Sequence, residues 1–414
     1  MYRPRLAVSQ KLTVLTMLLC FGMLQLSLLQ LYGTYCRSTG NTSISNSRVI
    51  PTKVAKPPKI LLDSSASSLY AKAGEKQLRP RSKYKPDIRR LLGNKLMHMN
   101  ETIPLLYQQL NAIYINRLLD QSAFSSNKHN RSKHYKRQPL ELCPEQPPNL
   151  IGQIKPQFDN RSDLTLAQEL GIELGGHSQP KQCQARHRVA VIIPYRSREA
   201  QLQLLLRHLH PILTRQQLSY TVYVIEQHGT SLFNKGRIMN IAFKRALEQQ
   251  WYDCFVFHDV DLLSEDDRNL HTCPPLPRHM SVAVDKFDYK IPYNELVGGV
   301  FAIRTAHFLR VNGYSNVYWG WGAEDDDMAY RLEHVGLGII RPPNQLARYT
   351  MIRHQPRKPT DGRTRFPLLW SGLHRYHIDG VSSLSTLNYT VLWSKQLPLH
   401  THIMVEIGEA PSYS

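Results

Sequence analysis

Three clusters in this 414-residue sequence have side chains of the right type and spacing to do chemistry. The first is Asp259-Val260-Asp261, which ends the apolar run CFVFHDVD. Side chains alternate along an extended chain, so both carboxylates are expected on one side, where they can share a cation. A nucleotide diphosphate needs such a cation to be held and to depart with its charge neutralised. DxD tripeptides are common in solvated turns; the position after a buried strand is what favours metal binding here. The second cluster runs from Tyr318 to Asp327, YWGWGAEDDD. Its four acids fit the first turn of a helix, where they complement the positive end of the dipole. That account leaves the two tryptophans among glycines unexplained. Aromatic faces stack on sugar rings, glycines let a backbone move, and a neighbouring carboxylate can deprotonate a sugar hydroxyl. The third cluster is Met351-Ile352-Arg353-His354. From spacing alone, His354 is a candidate metal ligand and Met351 a packing residue.

The elements around these clusters alternate. RVAVIIPY (188–195) is a near-continuous apolar run, as expected of a strand buried on both faces. A helix is expected around Leu202 to Leu213, a strand from Thr221 and a helix over Asn234 to Gln249. A third strand follows from Cys254 to Asp261. Alternation of this kind predicts an α/β domain around a mostly parallel sheet, with ligands at the carboxyl ends of the strands.

The rest of the chain sets the context. Arg3, Arg5 and Lys11 precede an apolar run from Leu12 to Tyr32, long enough for a membrane span. No clear small-x-small cleavage site follows it, and the basic flank keeps that end in the cytoplasm. The expected layout is a cytoplasmic tail (1–11), a signal-anchor (12–32), a flexible luminal stem (33–141) and a catalytic domain (142–414). The net charge of +20 invites a nucleic-acid reading, but much of the excess lies between Arg48 and Arg137, in polar sequence that reads as a solvated stalk. Cys143, Cys183, Cys254 and Cys273 fall in the luminal part. They suggest two disulfides in an oxidising compartment, with no CxxC pair to support zinc. Candidate N-glycosylation sequons stand at Asn41, Asn100, Asn130, Asn160 and Asn388.

The ordered motifs resemble the β-1,4-galactosyltransferase family, glycosyltransferase family 7, inverting enzymes of the GT-A fold. They are IIPYRSR (192–198), FNKGRIMN (233–240), FVFHDVDL (255–262), RHMSVAVDKF (278–287), YWGWGAEDDD (318–327) and MIRH (351–354). The resemblance implies a Rossmann-like mixed sheet flanked by helices. It places Pro194, Tyr195, Arg196, Arg198, Asp259, Lys286, Leu296, Gly299 and Trp321 at a UDP-sugar donor. Asp261, Met351 and His354 become ligands of Mn2+, reversing the packing reading of Met351. Asp325 resembles the general base, with Glu324 and Trp321 beside it in the catalytic set. Asp326, Arg365, Phe366 and Leu369 join Asp325 at the acceptor, and the stretch from Ile352 to about Trp370 resembles a lid. The implied disulfides are Cys143–Cys183 and Cys254–Cys273.

Two departures from the family pattern stand out. Ala323 replaces the second glycine of the usual WGWGGEDDD. Leu296, in PYNELVGG, occupies a position that is tyrosine in vertebrate galactose-specific relatives and smaller and aliphatic in invertebrate relatives that use UDP-GalNAc. Tyrosine would crowd a 2-acetamido group, and leucine leaves space. The resemblance therefore implies a hexosyltransferase (EC 2.4.1) most like the invertebrate β-1,4-N-acetylgalactosaminyltransferases. Such an enzyme would be a single-pass type II Golgi membrane protein. It would move GalNAc from UDP-GalNAc to the 4-hydroxyl of terminal β-GlcNAc on glycoproteins or glycolipids. The alternatives are transfer from UDP-Gal to the same acceptor, or a catalytically silent glycan-binding protein. Whether a homodimer or an accessory membrane protein is involved stays open.

Overall fold

A computed structural model describes residues 140–156, 161–354 and 359–411. All of them lie in the second of two compact units, Pro86–Ser414, and are treated on their own. The expected tail, the 12–32 span, the stem up to 139, and the sequons at Asn41, Asn100, Asn130 and Asn160 lie outside the described residues. Among the described residues no helix is long and apolar enough to cross a membrane.

The apolar runs form a mixed sheet. Its first strands are β1 (His177–Ser178), β2 (Arg188–Tyr195), β3 (Ser219–Gln227) and β4 (Cys254–His258). Between and after them come α1 (Asp163–Leu170), α2 (Glu199–Arg215) and α3 (Lys235–Gln249). The chain continues through β5 (Leu262–Ser264), β6 (Arg278–His279), β7 (Ala283–Val284), β8 (Val300–Arg304), α4 (Thr305–Arg310) and α5 (Glu324–His334). It closes with β9 (Arg348–Met351), α6 (Gly362–Trp370), α7 (Gly372–Arg375), β10 (Thr390–Gln396) and β11 (Thr401–Glu406). The strand order is β10-β11-β3-β2-β4-β8-β6, with β1 beside β3. β11, β3, β2 and β4 run parallel to one another, while β10, β1 and β8 pair antiparallel to β11, β3 and β4. A small second sheet has the order β5-β9-β7.

Alternation along β2 divides the core between the two faces of the sheet. Ala190 and Ile192 pack with Ile238 and Ile241 of α3, Phe308 of α4 and Leu332 of α5. Val189, Val191 and Ile193 pack with Leu166 of α1 and Leu202, Leu205 and Leu209 of α2. Cys143 is bonded to Cys183 and Cys254 to Cys273, the pairs the family resemblance implied.

The third strand differs from expectation. It stops at His258, and Asp259 to Asp261 form a turn in which the Leu262 amide donates to the Asp259 carbonyl. The Asp259 amide still donates to the Gly299 carbonyl, at 2.9 Å, in register with the β4–β8 pairing; the turn begins after it, so pleat alternation does not carry on to Asp261.

α5, which carries the acids, is fixed from below. Arg331 is fully buried, its Nε 2.5 Å from Asp327 Oδ1 and its Nη2 3.4 Å from Asp379 Oδ2. Tyr318 donates to the other Asp327 oxygen, while Ser315 and the Asn316 amide donate to Asp379. Of the four acids, Asp327 is thus structural. A buried ion pair broken on one side leaves an uncompensated charge. Replacing Asp327 by alanine should cost about 3 kcal/mol, the lower end of such losses because Asp379 remains. A urea midpoint shift with unchanged slope would report it; a shift worth under about 1 kcal/mol would remove the network as the anchor of α5.

Candidate active site

The carboxyl ends of β2 and β4 lie side by side in the parallel part of the sheet, where ligands gather in such folds. β2 ends in buried Pro194 and Tyr195. The Tyr195 hydroxyl donates to Glu199, its ring meets His402 edge-on, and burial pushes it up to about 12. Arg196 reaches the Ser231 carbonyl and lies over the Phe233 ring. Arg198 Nη1 is buried 3.9 Å from Asp261 Oδ2 and has no hydrogen-bond partner among the described residues.

The two aspartates of the turn serve different neighbours. Asp261 Oδ2 is 2.7 Å from His354 Nε2, and the Ile352 amide donates to the Asp261 carbonyl. Met351 stands opposite Leu262 in the β5–β9 pair. Burial and the nearby Asp259 charge raise the Asp261 carboxyl. Among the described residues no three His, Cys, Asp or Glu are grouped to hold a metal. The set here has two of those, with a thioether on the adjoining strand. A carboxylate oxygen and an imidazole nitrogen already at contact distance fit a borderline transition ion better than magnesium, which prefers an all-oxygen shell. Met351 also packs against the core, so the packing reading and the ligand reading describe one partly buried side chain.

Asp259 faces Lys235 instead, with Nζ 2.7 Å from Oδ1 and 3.7 Å from Glu324 Oε1. Burial alone would lower the Lys235 ammonium, but Asp259, Glu324 and Asp325 outweigh it and raise it. The sequence reading assigned Lys235 no role. A signal was present: it is the first residue of α3, where a cation opposes the helix dipole, and no acid stands in that turn to offset it.

The acids at the start of α5 close the far side. Burial raises Asp325; burial and the Asp325 charge push Glu324 and Asp326 each up to about 7. Tyr293 is a second neighbour that the sequence reading missed: burial and the charges of Asp325 and Asp326 raise its hydroxyl. A Cβ built on Gly298 would lie 2.2 Å from Asp325 Oδ2 and 3.5 Å from Leu296 Cδ1. The glycine therefore makes room for the Asp325 carboxylate, and half-buried Leu296 lines the same space. Ala323 sits at φ 78°, a left-handed conformation that suits the glycine it replaces.

The remaining expected residues lie around this core. Lys286 is exposed, with its ammonium over the Phe287 ring, and its turn is tied to Met351 through Asp285. Trp321 is 53% exposed. Arg365 lies over the Phe366 ring, which stacks on Trp370, with half-buried Leu369 on the same helix. Asp326 Oδ1 and Arg365 Nε are buried without hydrogen-bond partners among the described residues, as groups that await a polar ligand would be.

Comparison with known proteins bears on this geometry. Residues 143–274 match the family model described as the N-terminal region of glycosyl transferase group 7. Residues 278–355 match the N-terminal domain of galactosyltransferase. The chain is 42% identical over 276 residues to β-1,4-galactosyltransferase 3 of Cricetulus griseus, covering 66% of this chain and 69% of that one. It is 44% identical over 272 residues to β-1,4-galactosyltransferase 1 of Mus musculus, covering 65% and 67%. A solved Drosophila β-1,4-galactosyltransferase 7 variant in complex with manganese, UDP-Gal and xylobiose is 26% identical, with a TM-score of 0.46 over 54% of this chain and 94% of that one.

Lys235 opposes the upward shift of Glu324 and Asp325, so its loss should raise both further. In carbon-13 titrations of labelled carboxyls, Glu324 should titrate near 7 in the native chain and at higher pH in Lys235→Met. An unmoved Glu324 titration would show that Lys235 does not set the charge of the cluster.

Proposed function

The chain belongs to the β-1,4-galactosyltransferase family of group 7 glycosyl transferases, and on that premise we propose that it is an inverting β-1,4-N-acetylgalactosaminyltransferase. Its donor is UDP-GalNAc and its acceptor a terminal β-GlcNAc on glycoproteins or glycolipids. The observation that carries the donor assignment is the position of Leu296, half-buried and bordering the space that holds the Asp325 carboxylate. An aliphatic side chain there leaves room for a 2-acetamido group beside the reacting centre. UDP-Gal is the second reading, favoured by the galactosyltransferase relatives at 42% and 44% identity.

Asp261, Met351 and His354 would hold manganese, which when bound neutralises the charge of the departing diphosphate. Arg198, whose buried guanidinium nitrogen has no hydrogen-bond partner among the described residues, lies 3.9 Å from Asp261 and adds positive charge. Asp325 takes the proton from the acceptor 4-hydroxyl, and a single displacement inverts the anomeric carbon. Asp326, with Arg365, Phe366 and Leu369, holds the acceptor, and Trp321 lies over it. The N-terminal apolar run and the sequons support anchorage in a Golgi membrane with this domain in the lumen.

Incubation of the full chain with manganese, a GlcNAc-terminated acceptor and either donor tests the reading. Transfer from UDP-GalNAc should dominate, and Leu296→Tyr should move the preference towards UDP-Gal; dominance of UDP-Gal in the native chain overturns the donor assignment. Asp325→Asn should lower kcat on the order of a thousandfold or more while donor binding persists. A base must be ionised to act. Because burial raises Asp325, and its neighbours titrate at about 7, native transfer should fall as pH drops below neutrality. Full activity at pH 5 would place the base elsewhere.

A further inference from the structure

Thr360 joins two parts of the acceptor side that the chain presents from different elements. Its hydroxyl accepts from the Trp321 amide at 3.1 Å and donates to the Trp319 carbonyl at 2.9 Å. Its own amide donates to the Trp321 carbonyl at 3.2 Å. One residue thus satisfies backbone groups on both sides of Gly320. That glycine has φ +89°, and a Cβ on it would stand 2.2 Å from Thr360 Oγ1. Gly322, at φ +105°, is approached in the same way by Arg365, whose Nη1 would lie 2.6 Å from an added Cβ. The glycines of the tryptophan loop therefore do more than loosen it. They let the segment around Thr360 and α6 come against its backbone.

The next residue extends the connection. Asp361 caps α6 by accepting from the Arg363 amide, and α6 carries Arg365, Phe366 and Leu369. The positions of Trp321 and of α6 are thereby set by one side chain between them. Trp321 itself is half exposed, so packing alone does not fix its loop.

We propose that Thr360 is a positioning residue for the transfer reaction, a hydroxyl latch that registers the tryptophan loop against α6 so that the acceptor meets both at once. The proposal deepens the functional reading above and rests on it. Only a side chain that both donates and accepts fits the two backbone groups. Serine keeps that capacity, whereas valine keeps the shape and loses it.

The full chain and its Thr360→Val and Thr360→Ser variants are compared in two measurements. In the first, hydrogen exchange of the Trp321 and Thr360 amides should accelerate in the valine variant and match the native chain in the serine variant. In the second, the valine variant should show a raised KM for the acceptor and a lowered kcat, together on the order of 10- to 100-fold in kcat/KM. Its KM for the donor should stay within about twofold, and serine should restore the acceptor values. Unchanged exchange in the valine variant overturns the latch, whatever the kinetics. So does a serine variant as impaired as the valine one. A native chain that transfers neither sugar would sink the functional reading alone, and the exchange comparison would still decide whether Thr360 holds the loop.

Discussion

The site depends on one buried cation. Arg331 sits at zero exposure between Asp327 and Asp379, and also donates to the Gly313 and Asp379 carbonyls. A guanidinium taken out of water costs several kcal/mol unless its donors are met, so the surrounding chain is constrained to meet them. The constraint reaches in two directions. Through Asp327 it fixes the first turn of α5, and with it Glu324, Asp325 and Asp326. Through Asp379, which Arg375 also contacts, it holds the chain just after α7. α5 has no side-chain N-cap, so tertiary pairing supplies what local capping does not.

On that anchored turn, charge is the second constraint. Four acids in a row at a helix start would repel one another and shed protons with difficulty once buried. Asp327 is removed from the problem by Arg331, and Lys235 offsets Glu324 and Asp325 from the opposite wall. What remains is a set of carboxyls raised by burial, Glu324 and Asp326 to about 7, and a raised carboxylate makes a stronger general base. Lys235 stands unfavourably at the start of its own helix. Its placement becomes intelligible once Asp259, 2.7 Å away, is included.

Much of this was legible in the sequence where burial alone decides structure. The 188–195 run forms β2 with the expected bounds, and α3 begins after Asn234, whose side chain accepts from the Arg237 amide. Legibility failed where a backbone group bonds across the fold. Nothing in HDVD says that the Leu262 amide will fold back to the Asp259 carbonyl and close a turn, so the expected strand runs three residues too far and gives the two carboxylates one partner. Lys235 was overlooked because its partners lie in distant segments. Ala323 shows the converse case: the family motif marked the position as a glycine's, and the structure supplies the reason in its left-handed φ of 78°. Thr360 carried no sequence signal, since a single threonine in a polar stretch has many uses.

The antiparallel strand β8 ties these pieces into one design. Its pairing with β4 sets Val300 opposite His258, which brings the 296–299 segment beside the aspartate turn. Gly298 then leaves the gap that Asp325 fills from α5, and Leu296 borders that gap. The residue argued to select the donor sugar and the residue argued to deprotonate the acceptor thus share one small volume. The glycine at 298 keeps that volume open, since a Cβ there would meet the Asp325 carboxylate first and the Leu296 side chain next. Donor choice and base position are in that sense one packing problem, with Gly298 as the residue between them.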